Sequence, residues 1–130
     1  MEEEKKISME IVNPHAAGID VGSRSHWVAT GQKEQDVREF GVFNEDLFAM
    51  ADWFFEKQIK TIAMESTGTY WQNLFAVLIA KGFHVILCNG KFTKNIKGKK
   101  SDVMDCQWIQ KLHSLGLLSG SFYRKRKLNN

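Results

Sequence analysis

Apolar residues recur along this chain with two periods, and each change of period marks a new element. Ala16-Ala17-Gly18-Ile19-Asp20-Val21-Gly22 is an almost wholly apolar run stopped by glycine. It predicts a central strand buried on both faces, with one acid near its end. Residues 26–30 and 37–43 predict second and third strands. The turn-like Gly31-Gln32-Lys33-Glu34-Gln35 between them makes the three an antiparallel meander. Asn44 predicts a helix N-cap, with Glu45 and Asp46 in the first turn, where the helix dipole favours acids. Leu47, Met50, Ala51, Phe54 and Phe55 then follow at helical spacing, to about residue 57. Residues 59–65 return to a strand that ends in Glu65. After the hydroxyl-rich Ser66-Thr67-Gly68-Thr69, residues 70–81 predict a helix presenting Leu74, Phe75, Val77 and Leu78, stopped by Gly82. Residues 83–88 predict a buried strand and residues 89–100 a loop. Ser101 predicts the cap of a last helix that faces the core with Trp108, Ile109, Leu112 and Leu115 and stops at Gly116. Residues 117–123 fit a short strand or a linker equally.

The order β β β α β α β α predicts an α/β fold: a mixed five-stranded sheet, its first three strands antiparallel, with helices on both faces. This is the order of the ribonuclease H-like (RuvC-like) arrangement. There the first strand lies at the sheet centre beside the fourth, which sets Asp20 next to Glu65. The last helix then brings in Asp102 and Asp105.

A length of 130 residues with 43% hydrophobic content suits one soluble domain with a real core. No apolar run reaches the length of a membrane span, and the acidic start Met1-Glu2-Glu3-Glu4-Lys5-Lys6 is no secretory signal. Cys88 and Cys106 lack zinc-ligand spacing, and Cys88 in its apolar run reads as a buried thiol. The default location is a reducing cytoplasm. The organisation expected is a flexible lead-in over residues 1–14, a catalytic domain over 15–118, and a basic tail over 119–130. That tail is alternatively the start of a linker to a further domain.

The net charge of +3 conceals an asymmetry. Residues 1–90 carry 8 Lys/Arg against 13 Asp/Glu, a balance of −5, and residues 91–130 carry 10 against 2, a balance of +8. A basic segment this concentrated points to a polyanion partner, and Lys91, Lys94, Lys97, Lys99 and Lys100 are the candidate phosphate contacts. The bland reading of the last cluster, Arg124-Lys125-Arg126-Lys127, is a solvated tail.

Each acid also has a bland reading. Asp20 would be a turn residue, Glu65 a helix cap, and Asp102 and Asp105 dipole-matching residues of a first turn. Their convergence changes the balance. Four carboxylates at one sheet edge repel unless a cation holds them, and Mg²⁺ takes oxygen ligands of this kind, with Mn²⁺ as a substitute. Two such ions roughly 4 Å apart stabilise the attacking and leaving oxygens of a phosphodiester. Asp20, Glu65, Asp102 and Asp105 are therefore the candidate metal and catalytic residues.

Gly18-Ile19-Asp20-Val21-Gly22-Ser23, then Met64-Glu65-Ser66-Thr67-Gly68-Thr69-Tyr70-Trp71, then Lys100-Ser101-Asp102-Val103-Met104-Asp105 resembles the DEDD transposases of bacterial insertion sequences. That family includes Piv-type DNA invertases and bridge-RNA-guided recombinases. The resemblance covers about residues 15–118. It implies a RuvC-like N-terminal domain whose Asp20, Glu65, Asp102 and Asp105 bind Mg²⁺ for DNA cleavage and strand transfer. It further implies a second domain carrying a serine nucleophile, which this sequence does not contain, so the fragment alone is expected to be incomplete. Thr67, Gly68 and Tyr70 match the family motif as supporting residues. DNA is the implied partner. A structured guide RNA comes with part of the family, and the complete protein is expected to form a homo-oligomer.

Three rivals remain. An actin-like kinase or chaperone shares the first glycine loop but needs a second phosphate motif, absent here. A non-catalytic nucleic-acid-binding relic is countered by the presence of all four acids. A stand-alone RuvC-like nuclease or resolvase differs from the main reading in needing no second domain. The four histidines and four tryptophans read as structural.

Overall fold

The computed structural model describes residues 10–66, 68–89 and 102–120. Five strands form one sheet: β1 (Ala16–Asp20), β2 (His26–Ala29), β3 (Val37–Phe40), β4 (Thr61–Ser66) and β5 (His84–Asn89). Their spatial order is β3-β2-β1-β4-β5. β3, β2 and β1 pair antiparallel, while β1, β4 and β5 run parallel, so the sheet is mixed as the element order predicts. The helices among the described residues are α1 (Asn44–Glu56), α2 (Gln72–Ala80) and α3 (Asp102–Ser114), with a 3-10 turn at Glu34–Asp36. This is the ribonuclease H-like arrangement. No helix of the described residues is long and apolar enough to cross a membrane.

Alternation along the central strands separates two faces. Ala17 and Ile19 of β1, Ile62 and Met64 of β4, and Val85 and Leu87 of β5 pack with Leu47, Met50, Phe54, Leu74 and Leu78 of α1 and α2. The intervening residues, among them Ala63, Ile86 and Cys88, face α3 through Ile109. Burial on both faces is why these strands read as continuous apolar runs.

The α3 face is lined by small residues, and the helix lies unusually close to it. A Cβ on Gly18 would come within 2.8 Å of Gln110 Cα and 2.9 Å of the Cys106 carbonyl. The buried stripe of α3 is Cys106, Ile109, Gln110, His113 and Ser114. Trp108 instead points outward at 38% exposure, contrary to its expected core position. The buried stripe runs through Ile109 and Gln110, which leaves Trp108 on its outer side.

Two local expectations also shift. Asn44 is the first residue of α1 rather than its cap. The Phe43 N–H donates to Asp46 Oδ2 at 3.1 Å, and Asn44 Oδ1 accepts from Asn73 Nδ2 of α2 at 3.0 Å. With Phe43 engaged this way, β3 ends at Phe40. Ahead of β1, the Val12 and Asn13 N–H groups donate to the Ser114 carbonyl at 2.8 and 2.9 Å, and Asn13 Nδ2 donates to the His113 carbonyl at 2.8 Å. These bonds satisfy carbonyls that the end of α3 leaves open.

Candidate metal centre

β1 and β4 pair in parallel with Asp20 opposite Glu65, and their last turns face the same edge of the sheet. Paired residues of a parallel ladder project to one face. Asp20 follows Ile19 and Glu65 follows Met64, both on the α1–α2 face, so both acids fall on the α3 face. Across β4 and β5, Glu65 pairs with Cys88, which extends the row to a buried thiol.

α3 begins at Asp102, and its first turn carries Asp102 and Asp105 three residues apart, on neighbouring positions of the helix surface. Carboxylate oxygens of Asp20, Asp102 and Asp105 all lie within 4.8 Å of one another. Asp102 is exposed, while Asp20 and Asp105 are half-buried. Glu65 is not one of the three. It is buried at 4% exposure on the adjacent strand and makes its own interactions.

The thiols beneath register this concentration of negative charge. Burial, then Asp20 and, more weakly, Asp105, push the Cys106 thiol up to about 12. Burial and then Glu65 push Cys88 up to about 11. Both cysteines are buried free thiols and lie outside the cluster of Asp20, Asp102 and Asp105. The donor set that remains is all carboxylate oxygen, which suits a hard cation such as Mg²⁺ or Mn²⁺.

Of the other residues singled out, Gly68 and Tyr70 lie in the loop between β4 and α2. The Gly68 N–H donates to Ser66 Oγ at 3.3 Å, a hydroxyl turn directly after the Glu65 strand. Gly68 is not among the positive-φ glycines, and a Cβ there would sit 3.4 Å from the Tyr70 ring, so its backbone does not demand glycine. Tyr70 is 59% exposed. Thr67, Ser101 and the lysines Lys91, Lys94, Lys97, Lys99 and Lys100 lie outside the described residues.

Sequence reasoning overlooked what holds α3 in place. Gly18 had a signal, since a glycine inside a buried strand marks close backbone approach. Gln110 had none, because a polar residue on a helix reads as solvent-facing, yet it is buried at 7% exposure.

Compared with protein-family models, residues 17–127 match that of the IS110-type DEDD family, described as transposase. No curated protein matches the chain.

Proposed function

The chain belongs to the IS110-type DEDD transposase family, and from that premise we propose that it supplies the divalent-metal centre for DNA strand cleavage and transfer. The observation that carries this reading is the gathering of the Asp20, Asp102 and Asp105 carboxylate oxygens within 4.8 Å. One of these acids comes from a strand end and two from a helix start, so the cluster is built by tertiary packing and is not a by-product of local capping. Glu65, opposite Asp20 in the ladder, is the fourth member.

In this reading Asp20, Asp102 and Asp105 would hold Mg²⁺, with Glu65 beside Asp20 on the adjoining strand. Bound there, Mg²⁺ neutralises charge that builds on phosphate oxygens during cleavage. The protein's own part is to fix the carboxylates on a rigid sheet edge and helix start, and to exclude water beneath them with buried Cys88 and Cys106. Gly68 and Tyr70 lie in the loop beside the Glu65 strand, and together with Thr67 they are the supporting residues of the family motif. Lys91, Lys94, Lys97, Lys99 and Lys100 track the DNA backbone, supported by the +8 balance of residues 91–130. The serine nucleophile of strand transfer comes from a second domain, and the complete protein acts as a cytoplasmic homo-oligomer. A structured guide RNA is a further candidate partner.

Calorimetric titration of Mg²⁺ and Mn²⁺, with and without branched DNA or structured RNA, tests this. Asp20→Asn and Asp105→Asn are each expected to weaken binding at least about tenfold, since loss even of a ligand's outer support costs that much. Absence of metal binding by the native chain with nucleic acid present, or native-like binding by both variants, refutes the site. Metal-dependent nicking of branched DNA by this chain alone would favour a self-sufficient nuclease.

A further inference from the structure

Apolar packing of α3 on the sheet runs through Ile109 against Ala63, Ile86 and Cys88. Under its middle lie Ala16, Gly18 and Ala63, which offer no large side chain to interlock with. A network of amides adds directional bonds, alongside the contact of His113 Nε2 with Thr61 Oγ1 at 2.9 Å that joins α3 to β4. Gln110 Nε2 donates to the Ala16 carbonyl of β1 at 3.1 Å, and Gln110 Oε1 accepts from Gln32 Nε2 at 2.6 Å. Gln32 Nε2 also donates to the Gln107 carbonyl at 2.8 Å, and Gln107 Nε2 donates back to the Gln32 carbonyl at 3.0 Å. These bonds tie α3 to β1 and to the β2–β3 connection at once.

That connection is itself braced. Thr30 N–H and Oγ1 donate to the Asp36 carbonyl at 2.8 and 3.2 Å, and the Lys33 N–H donates to Asp36 Oδ2 at 3.1 Å. A Cβ on Gly31 would meet the same carboxylate at 2.5 Å, so the turn closes tightly around Asp36. Gln32 is thus presented from a fixed turn although its side chain is exposed. An exposed residue making three such bonds contributes little to the core, and its directional contacts set orientation instead.

α3 is continuous from Asp102 to Ser114, so holding Gln107 and Gln110 fixes both the rotation and the advance of its first turn. Asp105 is about 3 Å and Asp102 about 7.5 Å up the axis from Gln107, at 1.5 Å per residue. We propose that Gln32 and Gln110 are positioning residues for the metal centre: their amide latch sets α3 on β1 so that the Asp102 and Asp105 carboxylates meet Asp20. This rests on the reading of those acids as a cation site.

The experiment compares native protein with Gln32→Met, Gln110→Met, the double variant and Asp105→Asn, by Mn²⁺ calorimetry and by hydrogen exchange without metal. Methionine keeps the length of glutamine and removes every donor. Each latch variant is expected to weaken Mn²⁺ binding about tenfold, as for other supporting groups around metals. The double variant should weaken it by less than the product of the two, because both act through one network. Without metal, amides of residues 106–109, the first with helical hydrogen bonds in α3, should exchange faster in Gln32→Met while those of β1 and β4 do not. Unchanged Mn²⁺ affinity in Gln32→Met, even with a lowered melting temperature, overturns the proposal, as does unchanged exchange at residues 106–109. If Asp105→Asn binds Mn²⁺ like the native chain, the metal reading itself falls and takes the latch's purpose with it. Should Gln110→Met fail to fold, the surface variant Gln32→Met decides alone.

Discussion

A hydrogen atom is all that Gly18 can carry, because Gln110 and Cys106 backbone atoms occupy the volume a methyl group would need. These neighbours are helix backbone and cannot rotate away as a flexible side chain would. Gly18→Ala is therefore expected to destabilise the chain by about 1–3 kcal/mol, the usual cost of overpacking, measured by urea denaturation. An unchanged midpoint would show that α3 moves off the sheet without cost. The four acids were legible as residues because each ends an apolar run or begins a helix, positions where sequence marks a carboxylate clearly. Gln32, Gln107 and Gln110 were illegible, since nothing local distinguishes an amide that bonds across the fold from one that faces water.

At the scale of elements, all three described helices end in the same way. Gln58, Gly82 and Gly116 follow the three helix ends with φ of 61°, 100° and 73°. The N–H of the next residue, Ile59, Phe83 or Leu117, returns to the carbonyl of Phe54, Leu78 or Leu112 respectively. This is the Schellman closure, and its left-handed position favours glycine. Gln58 bears a side chain there, at a cost of about 1 kcal/mol. Gln58→Gly is expected to recover roughly that amount, offset in part by unfolded-state entropy, and to raise the melting temperature by a few degrees. A lowered melting temperature would mean that the Gln58 side chain makes compensating contacts. Gly82 and Gly116 made the ends of α2 and α3 readable in sequence, whereas the end of α1 was readable only from the fading of its apolar period. The outward turn of Trp108 went unread because helical spacing permits it on either side of the buried stripe.

For the molecule as a whole, two buried imidazoles link stability to pH. His26, whose Nδ1 accepts the Gly22 N–H at 3.2 Å, and His113, beside Thr61 Oγ1 at 2.9 Å, stand near opposite edges of the sheet. Burial lowers both from 6.5 to about 4, with His84 adding to the effect at His113. Between these values the unfolded chain takes up protons that the folded chain does not. Stability contributed by the neutral rings is thus full above about pH 6.5 and declines as pH falls toward about 4. The slope approaches roughly 1.4 kcal/mol per pH unit for each ring. Urea denaturation from pH 7 to pH 5 should show this decline, and His26→Gln or His113→Gln should each remove about half of it. A flat profile would place neither ring in the interior.

The sequence by itself determined the element order, the central place of β1, the two faces of the sheet and the family. Those follow from periodicity, short connections and motifs, all of which are local or nearly so. It also named Asp20, Glu65, Asp102 and Asp105 as acids bound for one edge. Only the tertiary structure decided how they divide. Asp20 meets Asp102 and Asp105, while Glu65 stays buried one strand away. That division depends on how far α3 advances along β1, a distance set by the missing side chain of Gly18 and by amide bonds spanning 75 to 94 residues of chain. Contacts at such separation leave no period in the sequence, because their geometry exists only once the sheet has brought the distant segments together.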